Sequence, residues 1–412
     1  MQTLFSPEGF IDFFSPHSEI QNMVDTGLKN IALPLNMFCS EGELESLGKK
    51  RKKPPRHALV SENPALLKDR TDFFATCCND NGIGVALVCA LHLPIETKRH
   101  DLTDLLLRLA EISIDAAESV GCHWVTIYPV AVVVDSAQNI HEANKKYFLR
   151  LARYAQTKNI TLLMENSCRS YNGHYLRGFC AEPNVAAAYI DSLNQETGAK
   201  CFGFSLDVGA CNLCGQDMQI MCHTLGERIK NVVLQNTLFG SNRSVMPFGT
   251  VSATDWLSLV RGLREINYDG ILTMDAKGSF DAIPPLLRPY FLPLMRETAD
   301  FFVWQIELER VMKRYSRRVL FGAGRMCERY LFCYGQQYPP LFTVDNNEKL
   351  WGTRIKGLEI RSPECLRNLP NDCAIFVCNV HYTEIEAQLA DMRLTNPILR
   401  FNDEYLPAYE IE

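Results

Sequence analysis

FSLDVGACNL, residues 204–213, runs from an apolar stretch into an acid, Asp207, then Gly209 and a small polar turn. A buried parallel strand delivers a carboxylate to the open end of a sheet in this way, and a helix start after Asp207 would follow. Six further apolar runs share the character of this one: NIALPL (30–35), GVALVCALHLP (84–94), WVTIYP (124–129), ITLLMEN (160–166), NVVLQN (231–236) and GILTMD (270–275). Between them, stretches such as LTDLLLRLAEISIDAAESVG and ANKKYFLRLARYAQTKN carry apolar residues three and four apart, as outer helices do. The alternation specifies parallel βα units. Closure into a barrel needs an eighth strand, which QTLF (2–5) supplies. The expected class is α/β: a (β/α)8 TIM barrel followed by a small Rossmann-like α/β domain.

The runs end in chemically capable residues: His92, Tyr128, Glu165, Asp207, Gln235 and Asp275. In a (β/α)8 barrel the C-terminal strand ends converge on one mouth, so these residues meet although they are far apart in the chain. Three acids on strands otherwise built of Leu, Ile, Val and Phe are not packing residues, because a buried carboxylate is costly unless it is paired or metal-bound.

LLMEN, SLDVG, IKNVVLQNT, MPFGTVSATDW and INYDGILTMD, in that order and spacing, resemble the xylose isomerase-like TIM barrels, which include sugar isomerases and keto-sugar epimerases. The resemblance spans roughly residues 1–300. It implies that strand ends hold one divalent cation through a glutamate, an aspartate, a histidine and a second glutamate. Position by position these fall on Glu165, Asp207, Val233 and Asp275, and a further family histidine falls on Ala210. Glu165, Asp207 and Asp275 are thus the candidate ligands of Mn2+ or Mg2+, hard oxygen donors without the imidazole that softer metals prefer. Gln235 is a possible carbonyl donor in place of the lost histidine. The resemblance also makes Glu165 and Asp275 the acid/base pair, moving a proton next to a sugar carbonyl, with Asp275 one methylene short. His92, Gln235 and Arg243 are the candidate substrate contacts, each able to orient a polyol by hydrogen bonds.

The bulk numbers bound the alternatives. At 412 residues, two domains are expected. A net charge of -6 gives no reason to expect nucleic-acid binding, and no window reaches the roughly 18 apolar residues of a membrane span. MQTLFSPEGFIDFF lacks a secretory pattern, and the 16 cysteines read as reduced thiols, so a cytoplasmic protein is expected. Cys211 and Cys214 form a C-x-x-C without a second pair at zinc spacing, which marks them as packing residues. GKKRKKPPRH (48–57) reads as a solvated loop or, at the barrel mouth, as a clamp for a substrate phosphate or carboxylate. Trp256 reads as core, with sugar stacking as its alternative.

The expected division is a barrel over 1–298, a connecting helix over 299–316 and a Rossmann-like domain over 317–412. RRVLFGAGRMCERYLFCYG and PLFTVDNNEKLWG resemble half of a dinucleotide-binding unit, with Gly322, Gly324 and Asp345 as candidate cofactor contacts and Cys327 at the third glycine position. A ligand-free turn is the favoured reading there; a nucleotide at the helix N-terminus is the alternative.

Two functions follow. One is a sugar isomerase or epimerase taking a small carbohydrate-like substrate, in a chain that is a candidate homo-oligomer. The other is a regulatory sugar- or nucleotide-binding protein whose metal site has decayed, as Ala210 and Val233 suggest.

Overall fold

A computed structural model describes residues 1–13, 15–39, 64–91, 103–129, 137–237, 241–248 and 254–401. Two compact units divide the chain, Met1–Val303 and Trp304–Glu412. The boundary falls inside one helix, Leu292–Lys313.

In the first unit eight parallel strands close into a barrel: β1 (Gln2–Phe5), β2 (Asn30–Pro34), β3 (Gly84–Cys89), β4 (Trp124–Ile127), β5 (Thr161–Glu165), β6 (Phe202–Asp207), β7 (Ile229–Leu234) and β8 (Ile271–Met274). All the strands read from sequence are present, including QTLF. It closes the ring, with Gln2–Phe5 in register on Ile271–Met274 and Phe5 beside Ile31 on the other side. Its Leu4 is fully buried and Phe5 nearly so, which explains how four residues hold that place.

Side chains alternate across a strand, so positions two apart share a face and stack along the barrel interior. Leu4, Ala32, Leu87, Leu163 and Ile271 form one apolar cluster from five strands. On β8, Ile271 is followed on the same face by Thr273 and then Asp275; on β5, Leu163 is followed by Glu165. The interior therefore grades from hydrocarbon through neutral polar groups to carboxylates as it approaches the mouth. Gly203 on β6 is needed for the close fit: a Cβ there would come within 3.0 Å of Leu163 and 2.9 Å of Lys230.

Local capping places the chain after the strands. Asp217 caps the helix Met218–Leu225 by accepting from the Ile220 amide at 2.9 Å, and Asp255 caps Trp256–Glu265 through the Ser258 amide at 3.0 Å. Trp256 is 5% exposed and packs on Phe302 with ring centroids 5.1 Å apart, so it is core.

The second unit carries a six-stranded sheet. In chain order its strands are β9 (Arg317–Phe321), β10 (Thr343–Val344), β11 (Arg354–Ile355), β12 (Leu358–Arg361), β13 (Cys373–Val377) and β14 (Ile398–Arg400). Their spatial order is β11, β12, β10, β9, β13, β14, parallel except for the β11–β12 edge pair. One apolar cluster gathers Tyr330, Phe376 and Phe401, and another Val319, Ile375 and Leu389.

Candidate active site

Glu165 and Asp207 end β5 and β6, and Asp275 directly follows β8. All three are partly buried at the same end of the barrel. Burial pushes the carboxyls of Glu165, Asp207 and Asp275 up, and their charges act on one another: Asp207 and Asp275 both raise Glu165, and Asp275 raises Asp207. Glu165 is driven well above the usual carboxylate range, whereas Asp207 reaches about 6. The difference has a structural cause in the donors each receives.

Asp207 holds two donors on Oδ1. The Ala210 amide donates at 3.0 Å, making Asp207 the N-cap of the helix Val208–Leu213, and the Gln235 side-chain amide donates at 2.6 Å. Asp275 likewise accepts on Oδ1, from the Ser244 hydroxyl at 3.2 Å and the Lys277 amide at 3.1 Å, and the Lys277 charge favours its ionised form. Hydrogen bonds to the charged form hold a carboxyl down against burial.

Among the described residues Glu165 receives one donor, and behind that donor stands a chain of others. The Thr273 hydroxyl donates to Asn231 Oδ1 at 2.7 Å, Asn231 Nδ2 donates to Ser205 Oγ at 3.0 Å, and the Ser205 hydroxyl donates to Glu165 Oε2 at 2.9 Å. Ser205 and Asn231 are fully buried and Thr273 is 3% exposed. The relay crosses β8, β7, β6 and β5 and satisfies groups that would otherwise be orphaned in the barrel. Asn166 adds a brace: its Oδ1 accepts from the Asp207 amide at 2.7 Å and its Nδ2 donates to the Asp207 carbonyl at 2.9 Å.

Tyr128 and Cys89 share this enclosure; burial pushes both well up, and Glu165 adds to each. Glu8, in the loop after β1, acts on both from the same end. Glu8, Ser205, Asn231, Thr273 and Ser244 were not singled out in the sequence. Glu8 had the same signal as the others, an acid just past a strand end, while Ser205 and Thr273 stand two residues before acids on the same faces.

Of the substrate candidates, Gln235 is 7% exposed and committed to Asp207 through its N–H, not through the carbonyl oxygen suggested by sequence. Arg243 is exposed, next to Ser244 in the hairpin Asn236–Thr237 with Ser244–Val245. His92 and the basic stretch 48–57 lie outside the described residues. The implied cation meets a donor set that does not fit it. Val233 and Ala210 cannot ligate, and Gln235 presents a donor where a cation needs an oxygen.

In the second unit Gly322, with φ +116°, approaches Cys378 so closely that a Cβ would sit 2.5 Å from its carbonyl oxygen. Asp345 Oδ2 accepts from the Ala323 amide at 2.8 Å and Oδ1 from the Asn347 amide at 2.8 Å. The three sequence candidates do come together, but Asp345 is occupied by its own loops.

No curated protein matches this sequence. Among solved structures, the IOLI protein with a binding zinc atom is 13% identical, with 75% of this chain and 99% of that chain covered at a TM-score of 0.52. A D-tagatose 3-epimerase-like protein is 12% identical over 74% of this chain and 100% of that chain, at 0.51. An L-ribulose 3-epimerase is 14% identical over 76% and 98%, at 0.50. At such identities these likenesses establish the fold alone. Residues 314–397 match the family described as C2185-like, N-terminal. The xylose isomerase-like TIM barrel family matches residues 53–287, more than half of the sequence, and with the closed eight-stranded barrel this chain belongs to that family.

Proposed function

We propose that the barrel is a sugar isomerase or epimerase in which Glu165 and Asp275 move a carbon-bound proton. The observation that carries this reading is the meeting of Glu165, Asp207 and Asp275 at one barrel end in unequal surroundings. Environments that push neighbouring acids apart assign them different roles. Glu165, crowded by two other acids and given one side-chain donor among the described residues, has its carboxyl pushed well above the usual range and is the member suited to hold a proton. Asp275, with two donors and the Lys277 charge, is the member suited to act ionised.

Asp275 takes the proton from the carbon next to a ketose carbonyl, leaving an enolate. Glu165 returns its own proton to the opposite face of that carbon, which inverts it. Tyr128, kept neutral by burial, is a hydroxyl donor within the same enclosure for the enolate oxygen. Asp207 serves as a positioning residue, fixed by Asn166, Ala210 and Gln235. Solved structures whose names include 3-epimerases share the fold, which makes a small carbohydrate the substrate class to test first.

The test is incorporation of solvent deuterium into a panel of ketoses, followed by proton NMR, with Glu165→Gln as the control. Exchange in the wild type and its loss in the variant support the reading; equal exchange in both removes Glu165 from it.

Gln235 on Asp207, together with Ala210 and Val233, favours a second reading, a sugar-binding protein without chemistry. Ligand-dependent thermal stabilisation without exchange would support it. The second unit, proposed here as a Rossmann-like domain from about residue 317, is read as holding a ligand-free turn at Gly322 and Gly324.

A further inference from the structure

Two cysteines lie beside this site on the segments that carry its acids. Cys168 opens the strand Cys168–Tyr171, three residues after Glu165, and Cys214 caps the end of the helix that Asp207 begins. That helix packs against that strand. Asn166 ties the two segments together near Asp207, by both its bonds to the Asp207 backbone and its 3.3 Å contact with Cys211 Sγ. At the other end of the helix, the side chains of Cys168 and Cys214 hydrogen-bond each other. Cys211, the sequence neighbour in the C-x-x-C, is instead fully buried and turned to Asn166.

We propose that Cys168 and Cys214 are a thiol–disulfide modification site, two facing side chains that form a reversible disulfide joining the segment after Glu165 to the helix after Asp207.

The pair is chemically unequal in the way such exchange requires. The Cys168 hydrogen bond and the Arg177 charge hold the Cys214 thiol below its ordinary value, while the same bond and burial push Cys168 up. Arg177 stands directly across the hairpin from Cys168. Both cysteines are partly exposed, unlike Cys78, Cys122, Cys211 and Cys222, which are buried and raised. A thiolate that is accessible and electrostatically favoured is the nucleophile in disulfide exchange.

With a low-molecular-weight disulfide as oxidant, the Cys214 thiolate attacks one of its sulfurs, that S–S bond breaks, and a small thiolate leaves. Cys168 then attacks the Cys214 sulfur, the second small thiolate leaves, and the Cys168 proton ends on it. Two protein thiols are oxidised and one small disulfide is reduced to two thiols. The inference does not depend on the barrel being an isomerase.

The test uses the full chain in glutathione buffers of increasing oxidised fraction, quenched with an alkylating agent and mapped by tandem mass spectrometry without reduction. The Cys168–Cys214 crosslink is expected to appear before any other cysteine reacts and to disappear with dithiothreitol. Its formation should raise the thermal midpoint by several degrees. Cys168→Ser should instead retain one glutathione on Cys214, and Cys214→Ser should leave Cys168 unmodified. Wild-type protein in which other cysteines react while these two stay free, or in which Cys214 pairs with Cys211, would overturn the assignment. Because serine is close in size to cysteine, both variants should keep the wild-type unfolding midpoint under reducing conditions; if one fails to fold, the wild-type crosslink map still decides.

Discussion

The Ser205 hydroxyl donates to Glu165 Oε2 at 2.9 Å, and Ser205 is itself fully buried. Its orientation is not free, because Asn231 already donates to Ser205 Oγ and Thr273 donates to Asn231. The relay thus ends on one chosen oxygen of Glu165, and among the described residues no donor is seen on Oε1. Ser205→Ala removes the donor and strands the Asn231 amide. A loss of about 1–3 kcal/mol in stability is expected from an unsatisfied buried group. Isotope exchange should fall while the Michaelis constant changes little, and Ser205→Thr should restore part of the rate.

Proton linkage gives the site a distinct pH signature. Glu165, Asp207 and Asp275 all bind protons more tightly folded than unfolded. Their contribution is therefore complete below the ordinary carboxylate values and is lost as pH rises through the folded values. For Asp207 that window runs from 3.8 to about 6; Glu165 extends the loss to higher pH. Thermal midpoints should fall as pH climbs from about 4 toward neutrality. Glu165→Gln should flatten that slope and leave the protein more stable than the wild type at pH 7. Parallel slopes in both proteins would remove Glu165 as the source.

Gln235 holds Asp207 where the resemblance led us to expect a cation. Dialysis against a strong chelator is accordingly expected to leave both the thermal midpoint and isotope exchange unchanged. Gln235→Glu should do the opposite of a silent change. It places a second carboxylate against Asp207 and should cost about 1–3 kcal/mol at neutral pH, with recovery as the pH is lowered.

The second unit offers a control independent of the barrel. Gly322→Ala puts a Cβ 2.5 Å from the Cys378 carbonyl oxygen at a φ of +116°. Lower resistance to proteolysis in Trp304–Glu412, with exchange by the barrel retained, is the outcome that checks this.

The fold was legible because its signal is repetitive: apolar runs alternating with amphipathic helices admit few architectures, and even QTLF could be placed by the need for closure. The three acids were legible for the same reason, since strand ends share a mouth. Gln235 directly follows its strand beside Asp207 with its N–H toward the carboxylate, a detail hidden because sequence does not say which end of an amide faces a neighbour. The relay through Ser205, Asn231 and Thr273 was hidden: small polar residues inside strands carry no pattern, and their meaning depends on register between β5, β6, β7 and β8. The partnership of Cys168 with Cys214 was hidden likewise, behind the closer C-x-x-C spacing.

Lengthening or neutralising Asp275 separates the two proton carriers. Asp275→Asn should lower exchange by a factor of about 100 to 10,000, the range for loss of a positioned acid or base. Asp275→Glu should lose less, with the added methylene displacing the carboxylate by about 1 Å.

The most direct measurement is the rate at which a ketose takes up deuterium at a carbon next to its carbonyl, compared between wild type and Glu165→Gln under identical conditions. Uptake that depends on the protein and collapses in the variant is the result this account predicts. Uptake that survives the substitution unchanged, or a wild type that binds ketoses and exchanges none of their hydrogens, would contradict it.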